Sequence, residues 1–128
     1  MTEQKLKLLI VDDEASVGKV LKAGLEMRGF TVRFETRSSD TIKACLEFHP
    51  DLVLLDIDMP GKDGGQVASE LRSHQTLRHT PVMFLTSLAS KEETGKRNAS
   101  REILLCKQMS IADLVARISA VLQPATPH

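Results

Sequence analysis

The sequence lacks an excess of charge of either sign. Its 17 basic and 17 acidic residues cancel and are interspersed along the chain. Such a chain builds no long-range field that would draw it to nucleic acid or to an anionic membrane. We therefore expect no direct nucleic-acid binding, and we expect proteins or small ions as partners.

Long hydrophobic runs are also missing. The longest apolar stretches, such as 8–11 and 52–55, have the length of a strand and fall far short of the roughly 20 residues that a membrane helix needs. No apolar signal region follows the first five residues. We expect a cytoplasmic protein that does not enter the membrane.

Cysteines are few. The two that are present, Cys45 and Cys106, are spaced neither for a disulfide framework nor for a Cys-x-x-Cys metal or redox site. Cys45 shares a helical face with Ile42 and Leu46, so we interpret it as a core residue. The same interpretation is favoured for Cys106, and both thiols are expected to be reduced.

The 128 residues, 41% of them apolar, suit one compact domain, predicted over residues 1–123. Apolar runs alternate with helix-period segments, a pattern typical of a doubly wound α/β domain with a parallel sheet. Strands are predicted at 6–11, 31–35, 52–56, 82–85 and 103–106. The second and fifth are less purely apolar, which suits the edges of the sheet. Residues 124–128 are expected to be a tail or the start of a linker.

Helices are predicted from apolar stripes and from their end signals. One stripe comprises Val17, Val20, Leu21, Gly24 and Leu25, and another comprises Ile111, Leu114, Val115, Ile118 and Leu122. Helix starts are indicated by Asp63, Ser90 and Ser110, and helix ends by Gly29 and by Pro50 after His49. A further helix is predicted over 91–99.

Acidic, hydroxyl and basic side chains lie where the predicted strands end. Asp12 and Asp13 follow the first strand, Asp56 ends the third, Thr86 follows the fourth and Lys107 follows the fifth. In an open parallel sheet, ligands bind outside the carboxyl ends of the strands. We therefore expect all of these side chains at one rim of the sheet.

Three carboxylates at one rim repel each other, by about 4 kcal/mol per pair at 4 Å and an effective dielectric of 20. A hard cation such as Mg²⁺ would compensate this charge, and Lys107 would supply a second positive charge. Asp56 is then predicted to attack a phosphoryl group and form an aspartyl phosphate, with the Thr86 hydroxyl donating a hydrogen bond to it.

The motifs at these strand ends resemble those of the receiver domains of two-component signalling. The matching stretches are Leu-Ile-Val-Asp-Asp-Glu at 9–14, Asp-Leu-Val-Leu-Leu-Asp-Ile-Asp-Met-Pro-Gly-Lys-Asp-Gly at 51–64 and Pro-Val-Met-Phe-Leu-Thr-Ser at 81–87. The resemblance covers essentially the whole chain. It implies a flavodoxin-like fold with three α/β/α layers and a five-stranded sheet in the order 2-1-3-4-5.

The resemblance also implies roles for individual residues. Asp56 would be the phospho-acceptor, Asp12 and Asp13 the acidic pocket for Mg²⁺, and the backbone carbonyl of Asp58 a further metal ligand. Thr86 would be the switch hydroxyl and Lys107 the phosphate-binding lysine. The donor would be a sensor histidine kinase or a phosphotransfer protein. An effector domain or a downstream protein would receive the signal, and a homodimer is also compatible with the family.

The sequence departs from the family pattern around Lys107. Leu104 stands where the family usually has an aromatic switch residue, and Gln108 stands where it usually has proline. The Asp58 side chain would add negative charge at the mouth of the site. Signalling is expected through a surface formed by helix 91–99, the fifth strand and the last helix, and these substitutions affect that surface.

Two alternatives from other functional classes remain open. One is a receiver-fold binding module that switches without phosphorylation. The other is an Asp-nucleophile phosphatase, because Asp56-Ile-Asp58 has the Asp-x-Asp spacing of haloacid-dehalogenase-like enzymes. That motif normally follows the first strand, whereas here it follows the third, so we expect no separate substrate turnover.

Overall fold

The computed structural model describes residues 5–57, 59–86, 103–107 and 109–122. The predicted helix over 91–99, the helix start at Ser90 and the predicted tail at 124–128 lie outside the described residues. The described elements are β1 (Lys7–Val11), α1 (Ala15–Met27), β2 (Thr31–Glu35), a short 3-10 helix (Ser38–Asp40), α2 (Thr41–Phe48), β3 (Leu52–Asp56), α3 (Gly64–Ser73), β4 (Val82–Thr86), β5 (Ile103–Cys106) and α4 (Ile111–Leu122).

The five described strands form one parallel sheet in the order β2-β1-β3-β4-β5. The predicted fold and the edge positions of the second and fifth strands are thereby confirmed. The predicted strand bounds differ by one residue at two places, since β1 begins at Lys7 and β4 extends to Thr86. Every residue of β3 and β4 is buried, as expected for central strands covered on both faces.

The core is divided between the two faces of the sheet. Leu8 and Ile10 point to the face covered by α1 and α4, whereas Leu9 and Val11 point to the face covered by α2 and α3. This alternation follows from the two-residue period of a strand. Cys45 lies in the second of these clusters and is fully buried, so its interpretation as a core residue is confirmed.

The packing of α1 corrects one sequence prediction. Val20 was predicted in the core stripe, but its exposed fraction is 67%, while Leu21 and Leu25 are buried. The buried face of α1 is centred on the row Val17, Leu21 and Leu25, and a helix turns by about 100° per residue, so Val20 lies on the flank. Gly24 faces α4, and a Cβ there would lie 2.8 Å from the Ile111 side chain.

The ends of the described helices match their sequence signals. Asp63 Oδ1 accepts a hydrogen bond from Gln66 N at 2.9 Å, and Asp63 N donates one to Gln66 Oε1 at 3.0 Å, which forms a capping box at α3. Ser110 Oγ accepts a hydrogen bond from Asp113 N at 3.1 Å at the start of α4. His49 adopts a left-handed conformation with φ of 54° at the end of α2, directly before Pro50.

No helix within the described ranges combines the length and the apolarity required to cross a membrane.

Candidate functional site

The predicted site residues lie at the carboxyl edge of the sheet. Asp56, the last residue of β3, is in register with Leu85 of β4, and Thr86, the last residue of β4, is in register with Cys106 of β5. Asp12 directly follows β1, which pairs with β3. Because all the strands are parallel, their carboxyl ends meet at this edge, and the side chains that follow them become neighbours.

Three carboxylates converge there. Asp12, Asp13 and Asp56 each offer one oxygen, and these oxygens lie within 4.8 Å of one another. Asp12 is 0% exposed and Asp56 is 2% exposed, whereas Asp13 is open to solvent. The backbone holds Asp12 firmly, because its Oδ1 accepts a hydrogen bond from Glu14 N at 2.9 Å and its own N–H donates to Glu35 O at 3.1 Å.

Lys107 provides the positive charge of this cluster. Its Nζ lies 2.9 Å from Asp12 Oδ2, 3.3 Å from Asp56 Oδ2 and 3.0 Å from Glu14 Oε1. The side chain is only 7% exposed. Burial alone would lower the pKa of the Lys107 ammonium, but the contacts with Asp12 and Glu14 and the charge of Asp56 outweigh it and raise the pKa above its ordinary value. The ammonium therefore keeps its charge throughout the neutral pH range.

Thr86 and Lys107 are connected through the backbone. Lys107 N donates a hydrogen bond to Thr86 O at 3.0 Å, and the Thr86 residue is 5% exposed. The end of β4 therefore fixes the backbone from which the lysine side chain extends. The role of the Thr86 hydroxyl remains a prediction.

The acidic cluster has the donor set that Mg²⁺ prefers, namely several carboxylate oxygens at one edge. Asp12 Oδ2 is buried, and its contact within the described part of the chain is the 2.9 Å ion pair with Lys107 Nζ. A buried carboxylate oxygen with spare lone pairs beside a second buried acid suits a hard cation. The three residues therefore fit Mg²⁺.

A pocket of about 310 Å³ adjoins the cluster on its solvent side. Asp13 lines it together with residues 36–39, which follow β2, and residues 59–62, which lie between β3 and α3. Arg37 and Lys62 contribute positive charge to its wall, and Met59, which is 6% exposed, contributes apolar surface. The pocket therefore opens beside Asp13 and is bordered by two basic side chains, of which Lys62 is paired with Glu70 at 3.0 Å.

Two residues that contact the site were not singled out from the sequence. Glu14 was noticed only as part of the acidic run, although its carboxylate contacts Lys107 across 93 positions of sequence. Gly64 was noticed only beside a helix start. A Cβ on Gly64 would lie 2.7 Å from Asp56 O and 2.9 Å from Ile57 Cα. Glycine therefore lets α3 begin directly against the backbone that carries Asp56, with Gly64 N donating to Ile57 O at 3.0 Å.

Three sequence predictions near the site cannot be followed into the structure. Asp58 and Gln108 lie outside the described residues. Leu104 is placed in β5, in register with Phe84, but its side chain is not among those described. The proposed effects of these residues on metal binding and on switching remain predictions.

A parallel α/β domain with acids and a lysine at its carboxyl edge has the architecture of a receiver domain. The family profile described as the response regulator receiver domain matches residues 8–119. A probable transcriptional regulator, ycf27 of Guillardia theta, is 40% identical over 126 residues, which cover 94% of this chain and 47% of that protein. The transcriptional regulatory protein GltR of Pseudomonas aeruginosa is 33% identical over 128 residues, which cover 98% of this chain and 52% of that protein.

Solved structures show the same similarity. The BeF3-activated N-terminal receiver domain of RstA from Klebsiella pneumoniae superimposes with a TM-score of 0.78 at 31% identity, covering 92% of this chain and 99% of that one. The chemotaxis protein CheY4 of Vibrio cholerae superimposes with a TM-score of 0.82 at 22% identity, covering 93% of this chain and 100% of that one, and supports the fold alone. The chain belongs to the response regulator receiver domain family of two-component signalling.

Proposed function

We propose that this receiver domain accepts a phosphoryl group on Asp56 in a Mg²⁺-dependent reaction. The observation that carries the proposal is the surroundings of this carboxylate. Asp56 is 2% exposed, lies within 4.8 Å of the oxygens of Asp12 and Asp13, and has the Lys107 ammonium 3.3 Å from its Oδ2. The three carboxylates outnumber the single ammonium, so the described residues alone leave this cluster with a net negative charge. A bound cation would supply the positive charge that compensates it.

In the proposed reaction, an Asp56 carboxylate oxygen attacks the phosphorus of a phosphohistidine on a sensor histidine kinase or a phosphotransfer protein. An O–P bond forms between the Asp56 carboxylate and the phosphorus, and the N–P bond of the phosphohistidine breaks. The leaving imidazole keeps the electron pair of that bond and takes up a proton. Lys107 would hold one phosphoryl oxygen by charge, and the Thr86 hydroxyl would donate a hydrogen bond to another.

Mg²⁺ would be held by Asp12, Asp13 and Asp56, and the Asp58 backbone carbonyl is proposed as a further ligand from the family resemblance. When bound, the ion neutralises charge on the phosphoryl oxygens during transfer. By holding the ion, Asp12 and Asp13 would lower the barrier to transfer, and the buried position of Asp12 limits the freedom of its carboxylate. Residues 36–39 and 59–62 shape the approach to this side of the site.

The downstream part of the function is also a proposal. The chain spans about half the length of the first curated relatives it matches, and two of these relatives are named as transcriptional regulators. We therefore propose that an effector domain or a partner protein reads the phosphorylated state. Signalling through helix 91–99, β5 and α4, homodimer formation and the cytoplasmic location all remain predictions.

The family match favours this function over the phosphatase alternative. In agreement with the sequence argument, Asp56 ends the third strand of the sheet rather than the first. A chain that released phosphate from a phosphomonoester with repeated turnover would support the phosphatase instead. A receiver that binds partners equally well with and without phosphorylation would support the phosphorylation-independent binding module.

The test is a mass measurement on the intact domain after incubation with Mg²⁺ and acetyl phosphate. We expect the mass of one phosphoryl group to be gained, and we expect Asp56→Asn or EDTA to abolish the gain. Asp51→Asn is a matched control, because Asp51 precedes the same strand at its opposite end and accepts a hydrogen bond from Lys7 N at 2.7 Å that an Asn oxygen can also accept. Failure of the wild-type domain to gain this mass from either acetyl phosphate or a phosphohistidine protein would overturn the proposal.

A further inference from the structure

We propose that Glu14 is a positioning residue that holds the Lys107 ammonium until an arriving phosphoryl group displaces it. This inference rests on the proposed function of Asp56 as phospho-acceptor. In this inference, the Glu14 carboxylate competes with the phosphoryl group for the Lys107 ammonium.

The contacts of Lys107 show why a competitor matters. An ammonium carries three N–H groups, and three carboxylates surround this one, with Nζ 2.9 Å from Asp12, 3.0 Å from Glu14 and 3.3 Å from Asp56. A phosphoryl oxygen that is to contact Lys107 must therefore take the place of one of these carboxylates.

The burial of the three acids decides which one leaves. The side chains of Asp12 and Asp56 are 0% and 2% exposed, so water cannot take the place of the Lys107 ammonium at either carboxylate. The Glu14 side chain is 55% exposed and can be rehydrated at once when it leaves. Glu14 is thus the partner that yields most easily.

Glu14 is also free to move its carboxylate without disturbing its backbone. It is the N-cap residue of α1, yet its side chain makes no capping hydrogen bond. Its backbone is anchored on both sides, because Glu14 N donates to Asp12 Oδ1 at 2.9 Å and Glu14 O accepts from Gly18 N at 3.1 Å. Only the side chain must rotate when Lys107 is released.

The experiment compares initial rates of phosphorylation by low concentrations of acetyl phosphate in the presence of Mg²⁺. Glu14→Gln removes the charge and weakens the hold on Lys107, whereas Glu14→Asp keeps the charge but shortens the side chain by one methylene. Since exposed ion pairs contribute little, we expect both variants to be faster than wild type by about two- to fivefold.

The matched control is Glu26→Gln. Glu26 lies on the same helix, its side chain is 44% exposed, and it is paired with Lys22 rather than with the site. At 1.5 Å per residue it is about 18 Å further along α1, so its rate should equal that of wild type.

A second measurement tests the contact without phosphorylation. Glu14→Gln, Lys107→Met and the double variant are unfolded in urea in the presence of EDTA, and the shifts of the two single variants should not add in the double variant. Additive shifts would overturn the inference.

The kinetic outcomes separate this inference from the proposed function. If wild type is phosphorylated and the Glu14 variants react at the wild-type rate, the inference is wrong and the proposed function stands. If Glu14→Gln is faster but Glu14→Asp is not, the effect comes from repulsion between the charge of residue 14 and the anionic phosphodonor. The inference that Glu14 holds Lys107 is then wrong. If no variant and no wild-type domain is phosphorylated by any donor, the proposed function fails, and the displacement step fails with it.

Discussion

Removing the charge of Asp56 should stabilise the metal-free domain. The Asp56→Asn side chain has nearly the same shape as the aspartate but ends two like-charge repulsions, those with Asp12 and Asp13, whose oxygens lie within 4.8 Å. Each repulsion is worth about 3.5 kcal/mol at an effective dielectric of 20. The substitution also loses the attraction to Lys107 at 3.3 Å, worth about 5 kcal/mol on the same scale. The balance favours the variant by about 2 kcal/mol.

The assay is urea unfolding near neutral pH, first with EDTA and then with Mg²⁺. With EDTA, the midpoint of Asp56→Asn should lie about 1 M above that of wild type, because urea lowers the free energy of unfolding by about 1–3 kcal/mol per molar for small proteins. With Mg²⁺ at one hundred times its dissociation constant, wild type should gain about 2.7 kcal/mol. The variant lacks one of the three carboxylates and should gain less, so its advantage should disappear.

Asp51→Asn serves as the control for the change of net charge, because Asp51 lies at the opposite end of β3 and takes no part in the cluster. Its midpoint should change equally little in both buffers. The reasoning would be refuted if Asp56→Asn unfolded at or below the wild-type urea concentration in EDTA, since the acids would then not repel one another appreciably.

Three further predictions concern other features of the structure. Lys107→Met should lower the free energy of unfolding in EDTA by about 3–5 kcal/mol, because buried Asp12 would lose its counterion, and an unchanged urea midpoint would contradict this. Gly64→Ala should lower the free energy of unfolding by about 1–3 kcal/mol, because its Cβ would press on the backbone of Asp56. It should also weaken Mg²⁺ binding measured by titration calorimetry. Gly65→Ala is the control and should cost less, because the nearest neighbour of its Cβ is a side-chain oxygen at 3.3 Å. Burial raises the pKa of the Cys45 thiol to about 11, so a thiol reagent near pH 8 should modify native Cys45 far more slowly than urea-unfolded protein, and equal rates would contradict this.

The raised pKa values of Lys107 and Cys45 also set the pH range in which stability changes. The Lys107 contribution is complete below the unfolded pKa of about 10.4 and is lost only as the pH rises through the higher folded value. The Cys45 thiol favours the folded state less as the pH rises above its unfolded pKa of about 8.5, since the unfolded thiol then ionises and the folded one does not. Both groups therefore predict loss of stability on the alkaline side and none between about pH 5 and 8.

The fold was predictable because its strands carry a strong local signal. Central strands such as β3 are buried on both faces and therefore appear in the sequence as uninterrupted apolar runs. The cap at Asp63 and the turn at His49 depend on hydrogen bonds and backbone angles within a few residues, so they could also be located. Val20 was assigned wrongly because helical spacing identifies a broad apolar face but not which part of it meets the sheet.

The sequence alone determined which strand ends carry the residues of the site. Through the family motifs it also identified Asp56 as the expected phospho-acceptor. It placed Asp12, Asp13, Asp56, Thr86 and Lys107 at strand ends, and parallel strands bring such ends to one edge. Only the tertiary structure decided that Glu14 contacts Lys107 and how closely α3 approaches the backbone of Asp56. The Glu14 contact spans 93 positions, and the space at Gly64 depends on the packing of α3 against the backbone after β3. Contacts of this kind arise from the packing of distant segments, which leaves no periodic or local trace in the sequence.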